Sequence, residues 1–325
     1  MPKVSIIVPN YNHEKFLKGR LESVLNQTFQ GDVEVIILDD QSTDNSVAII
    51  KSYQDQFPNK VKFVPSDTNS GSPFIQWDKG IKLATGDLIW IAESDDLAST
   101  EFLESTVPFF DEYPDLGIIV TKSNAINAEG KEISEYHPIF KGFENKLFCK
   151  PETELNYFKG DTFVQDYLVY KCLLPNVSGA IFRKLTYLEA GGLDFNFRRN
   201  GDYELYFRLL EQADIGFLNK QLNSTRYHDY KLTASNNAQS FKELNSILKP
   251  IFEKLKLSAT KRLEIMSFYF TVYKYDIFLN DSFSFSEKLK IFNYLGELSG
   301  KLRLQFLKFL MQRGKITLVK KIKKV

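Results

Sequence analysis

Cysteine and histidine are scarce in this chain. Two cysteines, Cys149 and Cys172, stand in 325 residues. They lack metal-type spacing and build no disulfide framework, so a reducing cytoplasmic setting suits the sequence. No apolar run approaches the ~20 residues needed to cross a bilayer. The run Val4–Val8 is too short for the apolar core of a signal peptide and runs into Pro9. Neither G-x-x-x-x-G-K-[ST] nor G-x-G-x-x-G occurs, which removes both glycine-rich phosphate cradles. Charge of one sign is also missing overall, at net +1. It is unevenly spread: residues 301–325 hold nine Lys and Arg and no acid, leaving the rest at about −8. An acidic body with a basic tail argues against nucleic acid as the main ligand.

What is present is a chain that is 43% hydrophobic, enough for one large domain or two smaller ones. Short apolar runs alternate with helical periodicity. Val4–Val8, Val33–Leu38, Val61–Val64, Leu88–Ala92 and Leu116–Thr121 read as buried strands. Between them, Glu14–Asn26 carries Phe16, Leu17, Leu21, Val24 and Leu25 at helical spacing, with Asn12 as its expected cap. Asp44 or Ser46 is expected to cap the next helix. Ser72 followed by Pro73 marks another helix start, and a further helix is expected near Glu101–Tyr113. Such alternation predicts an α/β fold, a mostly parallel sheet flanked by helices. Residues 124–171 have weak periodicity and read as loops and short elements over a site, a lid or acceptor wall. A strand pattern resumes at 176–183, Gly191–Asp194 is a turn, and a helix follows Asn200-Gly201-Asp202.

Acids collect where strands end. Asp39 and Asp40 follow the second strand; Glu93, Asp95 and Asp96 follow the fourth. In an open α/β sheet that edge is the ligand edge. Adjacent carboxylates repel unless a cation sits among them, and Mg²⁺ or Mn²⁺ takes carboxylates together with phosphate oxygens. Two such clusters on one sheet predict a metal–diphosphate site, against the plainer reading of solvated loops. Asp202 reads either as a helix cap alone or as a general base. His228, one of three histidines, reads as surface, packed or metal ligand.

These motifs together resemble the family 2 inverting glycosyltransferases of the GT-A fold, of the bacterial polysaccharide type. The residues that carry the resemblance are VSIIVPNYN (4–12), SVLNQTF (23–29), EVIILDDQSTD (34–44), ATGDLIWIAESDD (84–96), NGDYELYFRL (200–209) and Arg226-Tyr227-His228. They span about residues 1–235, which the resemblance makes the catalytic domain. It implies that Pro9 and Tyr11 cradle a nucleotide base, that Asp40 reads it with Asp39 beside, and that Glu93-Ser94-Asp95 stands as the D-x-D motif. Of Asp95 and Asp96, one is implied to bind the metal, the other ribose or water, the choice left open. His228 falls where relatives bind metal or diphosphate. Asp202 falls at the catalytic base. The sequence departs from the pattern at Glu93, normally Asp, and at Gly201, normally acidic. The implied reaction is metal-dependent inverting transfer from a nucleotide-diphospho-sugar, UDP-linked by family frequency, to a hydroxyl of a glycan or lipid-linked acceptor.

Residues 236–325 read as a helical C-terminal extension beyond the resemblance. It suits a homodimer contact, and its basic amphipathic end, 301–325, suits the inner face of an anionic membrane. Two rival functions come from other classes. A nucleotidyltransferase would want a glycine-rich basic loop, which residues 9–20 lack. A catalytically impaired nucleotide-sugar-binding module draws on Glu93 and Gly201 alone.

Overall fold

The computed structural model describes residues 3–135, 137, 140–174, 176–228, 238–279, 283–298, 304, 307 and 308. Strand and helix alternate from the start: β1 (Val4–Asn10), α1 (Glu14–Leu25), β2 (Val33–Asp39), α2 (Ser46–Gln56), β3 (Val61–Pro65), α3 (Pro73–Leu83) and β4 (Leu88–Ile91). Then come β5 (Leu97–Ala98), α4 (Phe102–Thr106), α5 (Pro108–Glu112) and β6 (Leu116–Ile126). The single helix expected at 101–113 is two, because Pro108 has no N–H to continue the ladder and starts a new helix. The strand expected at 116–121 runs on to Ile126. Residues 124–171 hold the short elements β7 (Glu132–Ser134), α6 (Glu144–Leu147), β8 (Leu155–Phe158) and α7 (Gly160–Phe163), then a π turn at Val164–Leu168. A 3-10 turn (Val177–Gly179) leads into β9 (Ala180–Arg183), α8 (Lys184–Glu189), α9 (Gly201–Gln212) and β10 (Asp214–Arg226).

All ten strands form one sheet, ordered β3-β2-β1-β4-β9-β6-β10-β5, with β7 on β6 and β8 on β10. β1, β2, β3, β4, β6 and β10 run one way; β5, β7, β8 and β9 run against them. The sheet is therefore mixed and mostly parallel, as its alternation with helices predicts. Its central strands are apolar without interruption because both faces are covered. Val4, Ile6, Val8, Val35, Ile37, Leu88 and Trp90 join Leu17, Leu21 and Val24 of α1 and Ile50 of α2 in one core layer. On the opposite face α3 lies so close that a Cβ on Gly80 would sit 2.4 Å from a methyl of Ile7. Trp90 stacks on Phe102 with centroids 4.1 Å apart, both fully buried. Truncating either ring to alanine would cost ~3–5 kcal/mol.

The chain divides into two compact units. One is Met1–Val164 with Cys172–Lys231; the other is Gln165–Lys171 with Leu232–Val325. The second holds α10 (Ala238–Lys254), α11 (Ala259–Val272) and α12 (Phe285–Leu298), with Ile265, Met266, Tyr269, Tyr273, Ile291 and Leu295 buried. Its short segment is tied in by chemistry. The Tyr269 hydroxyl donates to the Val169 carbonyl at 2.7 Å, and Lys261 pairs with Asp166 at 3.0 Å. Among the described residues no helix is long and apolar enough to cross a membrane. The basic tail, 301–325, lies outside the described residues except at Leu304, Leu307 and Lys308.

Candidate active site

The two acid clusters hang on β2 and β4, parallel strands on either side of β1, but are held very differently. After β2, Asp39 and Asp40 are buried. Asp39 accepts from the Asn10 amide at 3.2 Å and from the Ser42 N–H at 2.9 Å. Asp40 accepts from the Ser70 N–H at 2.9 Å, the Ser70 hydroxyl at 2.8 Å and the Gln76 amide at 2.5 Å. These bonds tie the β1, β2 and β3 ends together. Asn12, expected to cap α1, instead adopts left-handed backbone (φ 54°) and accepts from the Thr43 N–H at 2.7 Å. The free N–H of Glu14 goes to Asp44 at 2.9 Å, and Asp44 also takes the Ser46 N–H. One carboxylate thus serves the first turns of two helices. Pro9 is half-buried beside this loop, and the Tyr11 ring stands 46% exposed.

After β4, Glu93, Asp95 and Asp96 bring one carboxylate oxygen each within 4.8 Å of one another. Cations brace the turn from beneath. Arg20, fully buried on α1, donates through Nε to the Glu93 carbonyl at 2.8 Å. Burial pulls its pKa down to about 10, against the opposing pull of Asp96, Asp95 and Glu93. Its two terminal nitrogens are buried with no hydrogen-bond partner among the described residues. Arg226, at the end of β10, donates from Nε to the Asp95 carbonyl at 2.7 Å and from Nη1 to the carbonyls of Asn127 and Ala128. Asp96 is fully buried; it accepts from the Arg226 N–H at 2.8 Å and from the Asn176 amide. Asp95 faces the histidines instead, its Oδ2 lying 3.0 Å from His228 Nε2. The donor set fits a divalent cation: three carboxylates and an imidazole gathered at the ligand edge, with Asp95 central to it.

Asp202 is the second residue of α9, one position inside the helix; Asn200 holds the cap position. The cap expected at Asp202 is thus shifted by two residues. Its carboxylate still serves the helix end, accepting from the Tyr203 N–H at 2.8 Å. Burial raises its pKa to about 6, and the backbone N–H bonds oppose that rise. That value suits a general base working near neutrality. Tyr206, one turn on, has a buried hydroxyl that finds no partner among the described residues. Burial pushes its pKa well up, and the charges of Asp202, Cys172 and Glu93 add to the shift. The phenol therefore lies within electrostatic reach of both acids.

Gly201 has a steric explanation. A Cβ there would lie 2.9 Å from the Phe74 ring. Phe74 sits in the first turn of α3, two residues from Gln76, the donor to Asp40. A chain of contacts therefore runs from Asp40 through α3 to Gly201, and the charge coupling of Tyr206 runs from Asp202 to Glu93. Sequence reading gave no role to His13, Arg20, Arg226, Asn176 or Tyr206, although Arg226 and Tyr206 stand inside motifs it named. His13 had its own signal, a rare residue directly after Asn12 in the opening loop. The others act through carbonyls, amides or burial, which leave no local pattern.

The chain belongs to glycosyl transferase family 2, whose model matches residues 5–171. It is 34% identical over 131 residues to the poly(ribitol-phosphate) beta-N-acetylglucosaminyltransferase TarS of Staphylococcus aureus, covering 40% of this chain and 22% of that protein. It is 29% identical over 210 residues to a poly(ribitol-phosphate) beta-glucosyltransferase of Bacillus spizizenii, covering 63% of this chain and 32% of that one. The matches thus span about a fifth to a third of these relatives. The crystal structure of S. aureus TarS 1–349 in complex with UDP-GlcNAc superposes with a TM-score of 0.69 at 21% identity, covering 91% of this chain and 80% of that one. At that identity the likeness shows the shared fold.

Proposed function

We propose that the protein is a metal-dependent inverting glycosyltransferase. It moves a sugar from a nucleotide-diphospho-sugar, UDP-linked, to a hydroxyl of a glycan or lipid-linked acceptor in cell-surface polysaccharide synthesis. The observation that carries this reading is a pair of unlike acid environments, both within electrostatic reach of Tyr206. Glu93, Asp95 and Asp96 gather at the end of β4, while Asp202 is held with a pKa near 6 in the first turn of α9. The names of the relatives support the donor and suggest polyol-phosphate polymers as the first acceptor class to test. In the proposed division of labour, residues 1–235 carry catalysis and 236–325 form an accessory helical region with a basic tail.

Each residue then has a task. Tyr11 and Pro9 flank the base, and Asp40 and Asp39 fix the loop that reads it. A carboxylate has about four acceptor sites, so Asp40 keeps capacity for one more donor beside Ser70 and Gln76. Asp95, with Asp96, Glu93 and His228, would hold Mn²⁺ or Mg²⁺. A cation bound there neutralises the charge of the departing nucleoside diphosphate. Asp202 takes the proton of the acceptor hydroxyl as its oxygen attacks the anomeric carbon. The bond to the diphosphate breaks on the opposite face, inverting the centre. The test is UDP release from UDP-sugars by purified protein, with and without Mn²⁺ and an acceptor polymer. Turnover abolished by chelator and by Asp202→Asn supports the reading. UDP binding without any turnover selects the impaired binding module instead.

A further inference from the structure

Two of the three histidines in the chain meet at one carboxylate. His13 lies between β1 and α1; His228 follows β10. Some 215 residues separate them, yet their rings stand edge to face with centroids 5.6 Å apart. One ligand atom each from His13, Asp95 and His228 lies within 4.8 Å of the other two. The rings are also held in place. His13 Nδ1 is 2.8 Å from the Ser94 hydroxyl, a contact that orients the ring and leaves Nε2 for a ligand. The His228 side chain is 3% exposed and packs on Phe16, with centroids 4.8 Å apart. The Arg226 guanidinium lies over that same Phe16 ring.

Resting on the reading that this edge holds a divalent cation, we infer that His13 is one of its ligands, with Asp95 and His228. The site then offers two imidazoles beside its carboxylates rather than one. Mg²⁺ prefers oxygen ligands in near-ideal octahedral geometry, whereas first-row transition ions accept imidazole nitrogen. His13 therefore makes the protein select a transition ion over Mg²⁺. Ser94, the middle residue of Glu93-Ser94-Asp95, acquires a role as the hydroxyl that orients His13. The acidic group of Glu93, Asp95 and Asp96 shares Asp95 with the histidine group, so both face one ion.

The experiment uses the full chain with UDP and Mn²⁺ or Mg²⁺, read by metal-binding titration and by pulsed electron paramagnetic resonance of bound Mn²⁺. Wild type should show two directly bound imidazole nitrogens and bind Mn²⁺ at least tenfold more tightly than Mg²⁺. His13→Ala and His13→Gln should show one nitrogen, bind Mn²⁺ about 10–100-fold more weakly and lose most of the preference over Mg²⁺. One imidazole nitrogen in wild type, with Mn²⁺ affinity unchanged in either variant, overturns the role of His13 and leaves the cation site standing. No Mn²⁺ bound by wild type with UDP overturns the cation site itself. The nitrogen count in wild type decides the matter even if a variant fails to fold.

Discussion

Asp39–Asp40 and Glu93–Asp96 look alike in sequence, each a cluster of acids after an apolar strand. In the fold they differ in what answers the charge. The first pair is met by amides, hydroxyls and backbone N–H groups: Asn10, Ser42, Ser70 and Gln76. Such partners spend a carboxylate on holding loops together. In the second cluster Asp96 is likewise met by a backbone N–H and the Asn176 amide, but guanidinium groups hold the turn's carbonyls, Asp95 faces an imidazole, and the three carboxylates stay close despite their mutual repulsion. Counting acids at a strand end therefore finds the edge. The type of partner then separates Asp95, which faces an imidazole, from Asp39, Asp40 and Asp96, which hold loops.

The comparison can be broken by exchanging charge for shape at chosen positions. The largest effect is expected at Asp202, which neither cluster includes. Asp202→Asn should lower kcat by about 10²–10⁴-fold, with UDP binding by thermal shift unchanged. Next, Asp95→Asn should abolish Mn²⁺ binding measured by titration while Tm stays near wild type. Asp39→Asn should do the reverse, costing ~1–3 kcal/mol of stability in denaturant unfolding because buried donors lose their acceptor. Equal stability losses in the two variants would erase the distinction.

Acidity sharpens it further. The pKa of Asp202 is raised, so its basic form is lost as pH falls through about 6. Below that point kcat/KM should drop about tenfold per pH unit, and that limb should vanish in Asp202→Asn. A smaller effect is expected where Phe74 fills the space beside Gly201. Gly201→Glu should destabilise by ~1–3 kcal/mol through overpacking, and Phe74→Ala in the same chain should recover part of the loss. The smallest effect belongs to Tyr206→Phe. It removes a buried hydroxyl that has no partner among the described residues, so stability in the same unfolding assay should hold or rise slightly.

β1, β2, β3, β4, β6 and β9 were legible because burial writes short apolar runs, and the acids after two of them are local; β5, β7, β8 and the long β10 were not. The split at Pro108 was equally written in the chain, as a missing N–H inside an expected helix. Helix starts were legible only to within two residues. Asp44 serves α1 across the β2–α2 loop, and Asn200, rather than Asp202, holds the α9 cap position. What the sequence hid was convergence. His13, Asp95 and His228 meet because β1 pairs with β4 and β10 returns beside β6. Arg226 acts through carbonyl contacts, and no spacing rule marks which arginine will find them.

The seven residues Gln165–Lys171 belong with helices that begin some seventy positions later. The polypeptide leaves one body, visits the other and comes back before α9 is made. Trimming the protein after residue 231 would therefore not release a tidy half. It would strip Val169 of the Tyr269 hydroxyl and leave Tyr170 without the Phe268 ring, whose centroid lies 5.4 Å away. Any exchange of the helical region between relatives must carry this short detour with it, as one inheritable piece in two places.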